Sequence, residues 1–351
     1  MNRKLNILYT IPNFKTAGSQ FVLLELYKRI DRDQFQPFVL VEKFPDIFPE
    51  EIRHEERLHC SEAVGERSYI TKLSKLLKEK NIDILHSWDY KSNSIEAFAC
   101  KKAGIKYIYT KKNNAWSKRW FAKSFLSTHV VYNNPEMKNR FFSSAFLKNK
   151  VSFIPHGVDT SVFKPLTHDR PSTIFTVGCI GVIGDNKNQL LVLQALRKLP
   201  NNIHVSFYGK EDERYKTKLT TIIKSEGLGD RVSFHGFVAN HDIPEVMKTF
   251  DVLVLASKNE GLPLSIMEGM ACGVAVLSSN SGGGARFLLK DNQGGFIFEN
   301  EEELVAQLLR LLKNQELRTN LATKGRQRIV DNFSIEKEVD AYKKLYLSLV
   351  K

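Results

Sequence analysis

Residues 258–273 read KNEGLPLSIMEGMACG and carry two glutamates eight apart, Glu260 and Glu268, in an otherwise apolar setting. Carboxylates are costly to bury without partners, so such a pair points to a ligand. The preceding run DVLVLAS (251–257) reads as a strand, and the Leu262–Pro263 step suits the first turn of a helix. The free N–H groups and the dipole at a helix start make an anion site. Glu260 then falls in the loop before the helix. Glu268 falls about two turns inside it, roughly 9 Å along the axis from the helix start. A pyrophosphate over that start would have a carboxylate on either side, one accepting hydroxyl hydrogens from a hexose and the other from a ribose. The spacing alone is equally met by a surface loop glutamate followed by a solvated helix glutamate.

Two further stretches carry weaker signals. GVIGDNKNQLLVLQAL (181–196) reads as strand, loop and helix with Lys187 at the helix start, within reach of a phosphate. In HGFVANHDIPEVM (235–247) the backbone at Phe237 and Val238 follows a strand and could meet the edge of a base. A lone lysine or a lone strand end is common on any surface, so neither stretch decides anything by itself.

The elements that must position these residues repeat a simple pattern. β-rich runs at 5–11, 35–41, 82–88, 106–110, 129–133 and 151–155 alternate with helical stretches at 19–30, 70–80, 92–103 and 135–146. After the turn-rich segment HGVDTSVFKPLTHDRPS (156–172), strands recur at 173–180, 203–209, 231–237, 251–257, 274–279 and 294–298, again with helices between. Alternation of this kind predicts an α/β fold of two doubly wound halves with parallel sheets. The expected division is 1–160, 161–333 and a terminal helix over 334–351 that packs back on the first half. In open sheets of this class ligands sit beyond the C-terminal strand ends, where the three stretches above fall.

The order GVIGDNKNQ, YGKEDE, DRVSFHGFV and FDVLVLASKNEGLPLSIMEGMACGVAVLSSNSGG resembles the C-terminal half of glycosyltransferase family 4. The segment IPHGVDTSVF resembles that family's interdomain link, and TAGSQFVLLELYK (16–28) its first loop and helix. The resemblance covers nearly the whole chain. It implies the GT-B fold, two tandem Rossmann-like domains with parallel sheets facing a central cleft. The first domain is then acceptor-binding and the second nucleotide-sugar-binding. It also implies retaining hexosyl transfer from a nucleotide sugar, UDP-sugar before GDP-mannose, without metal or cofactor. Residue by residue, Glu260 would hold the donor sugar and Glu268 the ribose. Lys187 would neutralise the diphosphate with help from the amides at Leu264 and Ser265 beside Gly261. Ala17 and Gly18 would approach the phosphates closely, as small residues allow. The protein's share of catalysis is then position and electrostatics rather than a nucleophile.

Three departures from the family pattern stand out. Val182 occupies the place of an arginine that would pair with Lys187, and Arg286 stands in SGGGARF where an acid is usual. Arg286 is expected to supply the missing cation. Lys111 and Lys112 follow the strand at 106–110 where many members have a histidine, which makes Lys112 a candidate, while His86 matches a frequent strand-end histidine.

The charge balance of +13 is concentrated: residues 101–150 hold twelve lysines and arginines against the single acid Glu136. Within it, KKNNAWSKRWFAKSFLSTH (111–129) interleaves cations with Trp116, Trp120, Phe121 and Phe125, which predicts an interfacial helix on an anionic membrane surface. A buried helix with a solvated basic face fits the same residues. The expected setting is cytoplasmic, on the inner membrane face, with a saccharide or lipid-linked acceptor. A nucleic-acid binder using the basic patch is the rival class, but no nucleic-acid motif appears, and none is expected as partner. A nucleotide-sugar binder or epimerase of the same fold is a second rival. No apolar run is long enough to span a bilayer. The N-terminus lacks a secretory leader's pattern. The four cysteines are spaced as free thiols.

Overall fold

Residues 3–14, 18–43, 47–60, 67–88, 93–165 and 173–350 are described by a computed structural model. The chain divides into two units, one of Met1–Gly157 with Ile335–Lys351 and one of Val158–Ser334. In chain order the first unit holds β1 (Leu5–Ile11), α1 (Gly18–Arg29), β2 (Phe35–Val41), β3 (Arg57–Leu58), α2 (Arg67–Glu79), β4 (Ile84–Ser87), α3 (Ile95–Ala103), β5 (Lys106–Lys111), α4 (Lys118–Leu126), β6 (His129–Tyr132), α5 (Glu136–Phe141) and β7 (Val151–Phe153). The second holds β8 (Phe175–Ile180), α6 (Gln189–Leu196), β9 (Ile203–Tyr208), α7 (Glu213–Ser225), β10 (Val232–Phe234), α8 (Ile243–Met247), β11 (Val252–Leu255), α9 (Leu264–Ala271), β12 (Ala275–Ser279), α10 (Gly284–Leu288), β13 (Gly295–Phe298), α11 (Glu301–Lys313) and α12 (Gln315–Asn332). The last helix, α13 (Ile335–Val350), returns to the first unit.

Both sheets are parallel, ordered β3-β2-β1-β4-β5-β6-β7 and β10-β9-β8-β11-β12-β13. Each order reverses once, between β1 and β4 and between β8 and β11, and such a switch point is where doubly wound sheets place ligands. The strands are covered on both faces, so they read as continuous apolar runs. In β11, Val252 and Val254 enter the core shared with α6, α7 and α11, while Leu253 and Leu255 enter the core shared with α8 and α9.

The first crossing between units lies slightly earlier than the sequence suggests, at 157/158 rather than 160/161, and the second one residue later, at 334/335 rather than 333/334. Val158 and Phe163 are buried in the second unit's core. The Arg326 guanidinium donates to the carbonyls of Thr160, Phe163 and Ala271. The first part of the turn-rich link is therefore body rather than tether, and residues 166–172 lie outside the described residues.

Helix α13 is bound to the first unit by polar contacts as well as packing. Glu338 accepts from the Gly157 N–H at 2.7 Å and contacts the His156 ring at 3.2 Å. The Tyr342 and Tyr346 hydroxyls reach Thr110 and His86.

The segment 111–129 departs from a single interfacial helix. Only Lys118–Leu126 is helical, and Ser117 caps it by accepting from the Trp120 N–H. Trp120 is buried, and Trp116 packs on the same core with its ring stacked 4.9 Å from Phe141. Lys111 and Lys123 are fully buried and lie over aromatic rings, Lys111 4.2 Å from the Trp120 centroid. Burial, with Lys123 adding repulsion, pulls the Lys111 ammonium down to about 7. Both tryptophans therefore belong to the core, because the sheet beneath offers them more apolar contact than a surface would. Among the described residues no helix is long and apolar enough to cross a membrane.

Candidate active site

The second unit brings Glu260 and Lys187 into direct contact at the switch point of its sheet. Lys187 lies in the loop after β8 and Glu260 in the loop after β11. The Lys187 Nζ donates to Glu260 Oε1 at 2.7 Å, with both side chains mostly buried. Two sets of contacts hold the loops in register. Gln189 ties the first loop to itself, accepting from the Gly184 N–H and donating to the Val182 carbonyl. Across the loops, the Lys258 N–H donates to the Asn186 carbonyl, Asn186 Nδ2 donates to the Asn259 carbonyl, and Lys258 pairs with Asp185. The Glu260 N–H is in turn held by the Ser281 carbonyl at 2.7 Å.

Glycines let these loops approach as closely as they do. A Cβ on Gly284 would lie 1.9 Å from the Gly261 carbonyl oxygen, so the SGGG loop packs backbone to backbone on the loop carrying Glu260. Gly181 has φ +140°, and a Cβ there would meet the Lys187 stem at 2.8 Å.

Helix α9 begins at Leu264, preceded by Pro263 in extended conformation, and no side chain caps its first turn. The leading N–H groups, those of Leu264 and Ser265 among them, therefore have no intrahelical acceptor. Glu268 is the fifth residue of the helix, about 6 Å along its axis from Leu264, one turn rather than two. The sequence placed the helix start at Leu262–Pro263, but Leu262 is buried in the core and Pro263 is the extended entry residue. Burial pushes the Glu268 carboxyl up to about 7, against the opposing attraction of Lys187. A cation, two carboxylates and an uncapped helix start thus share one place. That set can bind a phosphate-bearing, hydroxyl-rich molecule.

The remaining residues of this unit divide. Phe237 is 56% exposed beyond β10, with Lys210 Nζ 5.5 Å from its ring, while Val238 is half-buried against the core. The neighbouring Tyr208 and His235 rings stack at 4.2 Å. Arg286 does not join Lys187. It ion-pairs with Glu299 at 3.0 Å, both side chains about half exposed, because α10 directs it toward the end of β13. The expectation that it replaces the missing arginine is corrected on that ground. Val182 is 52% exposed, and its carbonyl is fixed by Gln189.

In the first unit, Gly18 is the exposed first residue of α1, and Ala17 lies outside the described residues. Lys112 follows β5 and is half-buried. Its Nζ donates to the Trp88 carbonyl at 2.6 Å and lies 5.0 Å from the Trp88 ring. His86 is a core residue rather than a ligand-facing one. It is fully buried, its ring nitrogens meet Tyr346 at 2.7 Å and Thr110 at 2.8 Å, and burial drives it down to about 3. With both nitrogens engaged it has nothing left to offer a substrate.

Sequence reasoning passed over Gln189, Asn186, Lys258 and Ser281, which build the site without touching its centre. Only Lys258, two residues before Glu260, had a visible signal. Gln189 and Asn186 act by side-chain amides on loop backbone and Ser281 by its carbonyl, and no residue type announces such contacts.

Comparison with known proteins gives this geometry a family. A model of glycosyl transferases group 1 matches residues 165–328, and one of Glycosyltransferase Family 4 matches residues 16–162. An Escherichia coli UDP-Gal:alpha-D-GlcNAc-diphosphoundecaprenol alpha-1,3-galactosyltransferase is 27% identical over 317 residues, covering 79% of this chain and 78% of its own. A glycosyltransferase structure from Rickettsia africae matches with a TM-score of 0.87 at 19% identity, covering 100% of both chains. The Anabaena protein HepE in complex with UDP matches with a TM-score of 0.84 at 19% identity, over 99% of this chain and 100% of that one. From the two family matches and the shared fold, the chain is a glycosyltransferase of the family 4 type, built on the GT-B fold.

Proposed function

We propose that the chain transfers a hexose from a UDP-sugar, with GDP-mannose next in order, to a lipid-linked or saccharide acceptor in the synthesis of a cell-surface polysaccharide or glycolipid. Transfer proceeds with retention of anomeric configuration, without metal or cofactor, and at the cytoplasmic face of a membrane. The observation that carries this reading is the Lys187–Glu260 pair beside the uncapped start of α9. The likeness to a galactosyltransferase whose named acceptor is a diphosphoundecaprenol supports the acceptor class. The likeness to a UDP complex supports the base.

The pair suits an exchange of partners. Before the donor arrives, the Lys187 ammonium and the Glu260 carboxylate neutralise each other, which keeps two charges tolerable in a mostly buried place. The diphosphate competes for Lys187 with more negative charge and adds the N–H groups of Leu264 and Ser265. Glu260, released, accepts hydrogen bonds from the sugar hydroxyls and fixes the hexose, while Glu268 takes the ribose. As the glycosidic bond breaks, charge grows on the leaving phosphate, where Lys187 and the helix start stabilise it most. The base rests beside Phe237.

Incubation with UDP-, GDP- and ADP-sugars, read by thermal shift, tests the donor. A UDP-sugar is expected to raise the midpoint and the others less, since ligand binding stabilises by mass action. Donor and acceptor together should release nucleoside diphosphate, and the product's anomeric coupling should match the donor's. Release without acceptor, or interconversion of the donor sugar, would instead make the chain a hydrolase or an epimerase.

A further inference from the structure

The outward face of α4 is unusual for a surface in contact with water. Trp120, Lys123 and Ser124 face the core, whereas Lys118, Arg119, Phe121, Ala122 and Phe125 face out. Phe121 is 40% exposed and Phe125 53%. Phe146, in the connection before β7, is 70% exposed and meets Phe125 edge to face at 6.0 Å.

Lys150 holds this arrangement from below. Its Nζ donates to the carbonyls of Phe125 at 2.6 Å and Ser127 at 2.8 Å, satisfying the C-terminal end of α4, and lies 5.6 Å from the Phe125 ring. Phe125 and Phe146 are thus held together rather than scattered singly. Exposed Lys118, Arg119 and Lys148 flank them, in a stretch whose one acid is Glu136.

The geometry points to this ledge, Phe121, Phe125 and Phe146 with Lys118, Arg119 and Lys148, as the surface by which the chain sits on an anionic phospholipid bilayer. Phenylalanine has no polar atom, so its ring belongs below the headgroups. The cations beside it remain at the level of the lipid phosphates, where each adds attraction. A docked protein would have to bring acids to match every cation around an apolar centre. Stacking of nucleic-acid bases would require open ring faces, and the Phe125 ring already has Phe146 edge to face and Lys150 nearby. The sequence pointed to 111–129 as a whole; the structure removes both tryptophans from that surface and adds Phe146. This assignment rests on the lipid-linked acceptor proposed above. It is read without donor or acceptor, so its failure and the failure of the transfer reading are separate results.

The test is flotation of the purified chain with vesicles of phosphatidylcholine, with and without phosphatidylglycerol, at low and high salt. Binding is expected only with phosphatidylglycerol and should weaken with salt. Phe125→Ser with Phe146→Ser should lower it by about tenfold or more, the two rings supplying the apolar part. Lys118→Glu with Arg119→Glu should abolish the preference for the anionic lipid. All four positions are exposed, so unchanged unfolding midpoints are expected and would show that the variants fold. Absence of binding at low salt, or undiminished binding by the phenylalanine variant, would overturn the assignment. So would binding of an RNA oligonucleotide, or self-association, lost in the same variants while vesicles are ignored.

Discussion

Replacing Glu268 by glutamine should make the unliganded chain more stable at pH 8 and a worse enzyme. The carboxyl of Glu268 is raised from an ordinary value of 4.5 to about 7 by burial, with Lys187 pulling the other way. Nearby Cys272 is itself pushed up to about 12 and stays neutral. A folded-state pKa above the unfolded one means that folding favours the protonated acid. Stability from this group is therefore full below about pH 4.5 and declines as pH rises toward 7. Above 7 the whole penalty is present. Each tenfold in proton affinity is about 1.4 kcal/mol, so the ionised carboxylate weakens the folded chain by about 3 kcal/mol at pH 8. Glutamine keeps the shape, has no charge to desolvate, and should recover most of that. The assay is chemical unfolding of wild type and Glu268→Gln at pH 8 and pH 4.5. The variant should lead by about 2–3 kcal/mol at the higher pH and by little at the lower. Donor affinity should fall at pH 8, where the ionised carboxylate proposed to accept two ribose hydrogens gives way to an amide, and change less at pH 4.5, where the carboxyl is already protonated. A variant no more stable than wild type at pH 8, or with the same advantage at pH 4.5, would refute the reasoning.

Three other outcomes follow from the geometry. Glu260→Ala should cut kcat/KM by about a hundredfold or more, while unfolding moves by about 1–3 kcal/mol, since Lys187 is left without its carboxylate in a mostly buried place; transfer at the wild-type rate would remove Glu260 from the site. Gly284→Ala puts a Cβ 1.9 Å from the Gly261 carbonyl oxygen, so it should destabilise by about 1–3 kcal/mol and weaken donor binding, as unfolding and isothermal titration would register. His86→Leu leaves the Tyr346 and Thr110 hydroxyls without their ring partner. Thr110 keeps its contact with the Tyr342 hydroxyl, so the change should cost about 1–3 kcal/mol of stability in all with KM for the donor unchanged; a raised KM with normal stability would return His86 to the substrate.

The two sheets were legible because a parallel strand covered on both faces must be a short apolar run, and runs such as VLVL in β11 have few other uses. The pair Glu260 and Glu268 was legible for the opposite reason, charge where apolar residues dominate. Element ends were less so: α9 begins at Leu264 because Leu262 is drawn into the core, a packing decision that no local pattern records. His86 and Arg286 carry side chains suited to chemistry, and type alone could not say that one ring is spent on two hydroxyls and one guanidinium on Glu299.

By itself the sequence determined the fold class, the halving of the chain and the junction of strand and helix that carries the two glutamates. Each follows from local periodicity or from the cost of burying charge. Only the tertiary structure decided that Lys187 closes on Glu260, 73 positions away, and that Glu268 stands one turn into its helix. It also decided that tryptophans in a basic stretch face inward while phenylalanines face out. The physical reason is common to all three. A side chain's role depends on what the sheet places opposite it, and that neighbour lies far away in the chain.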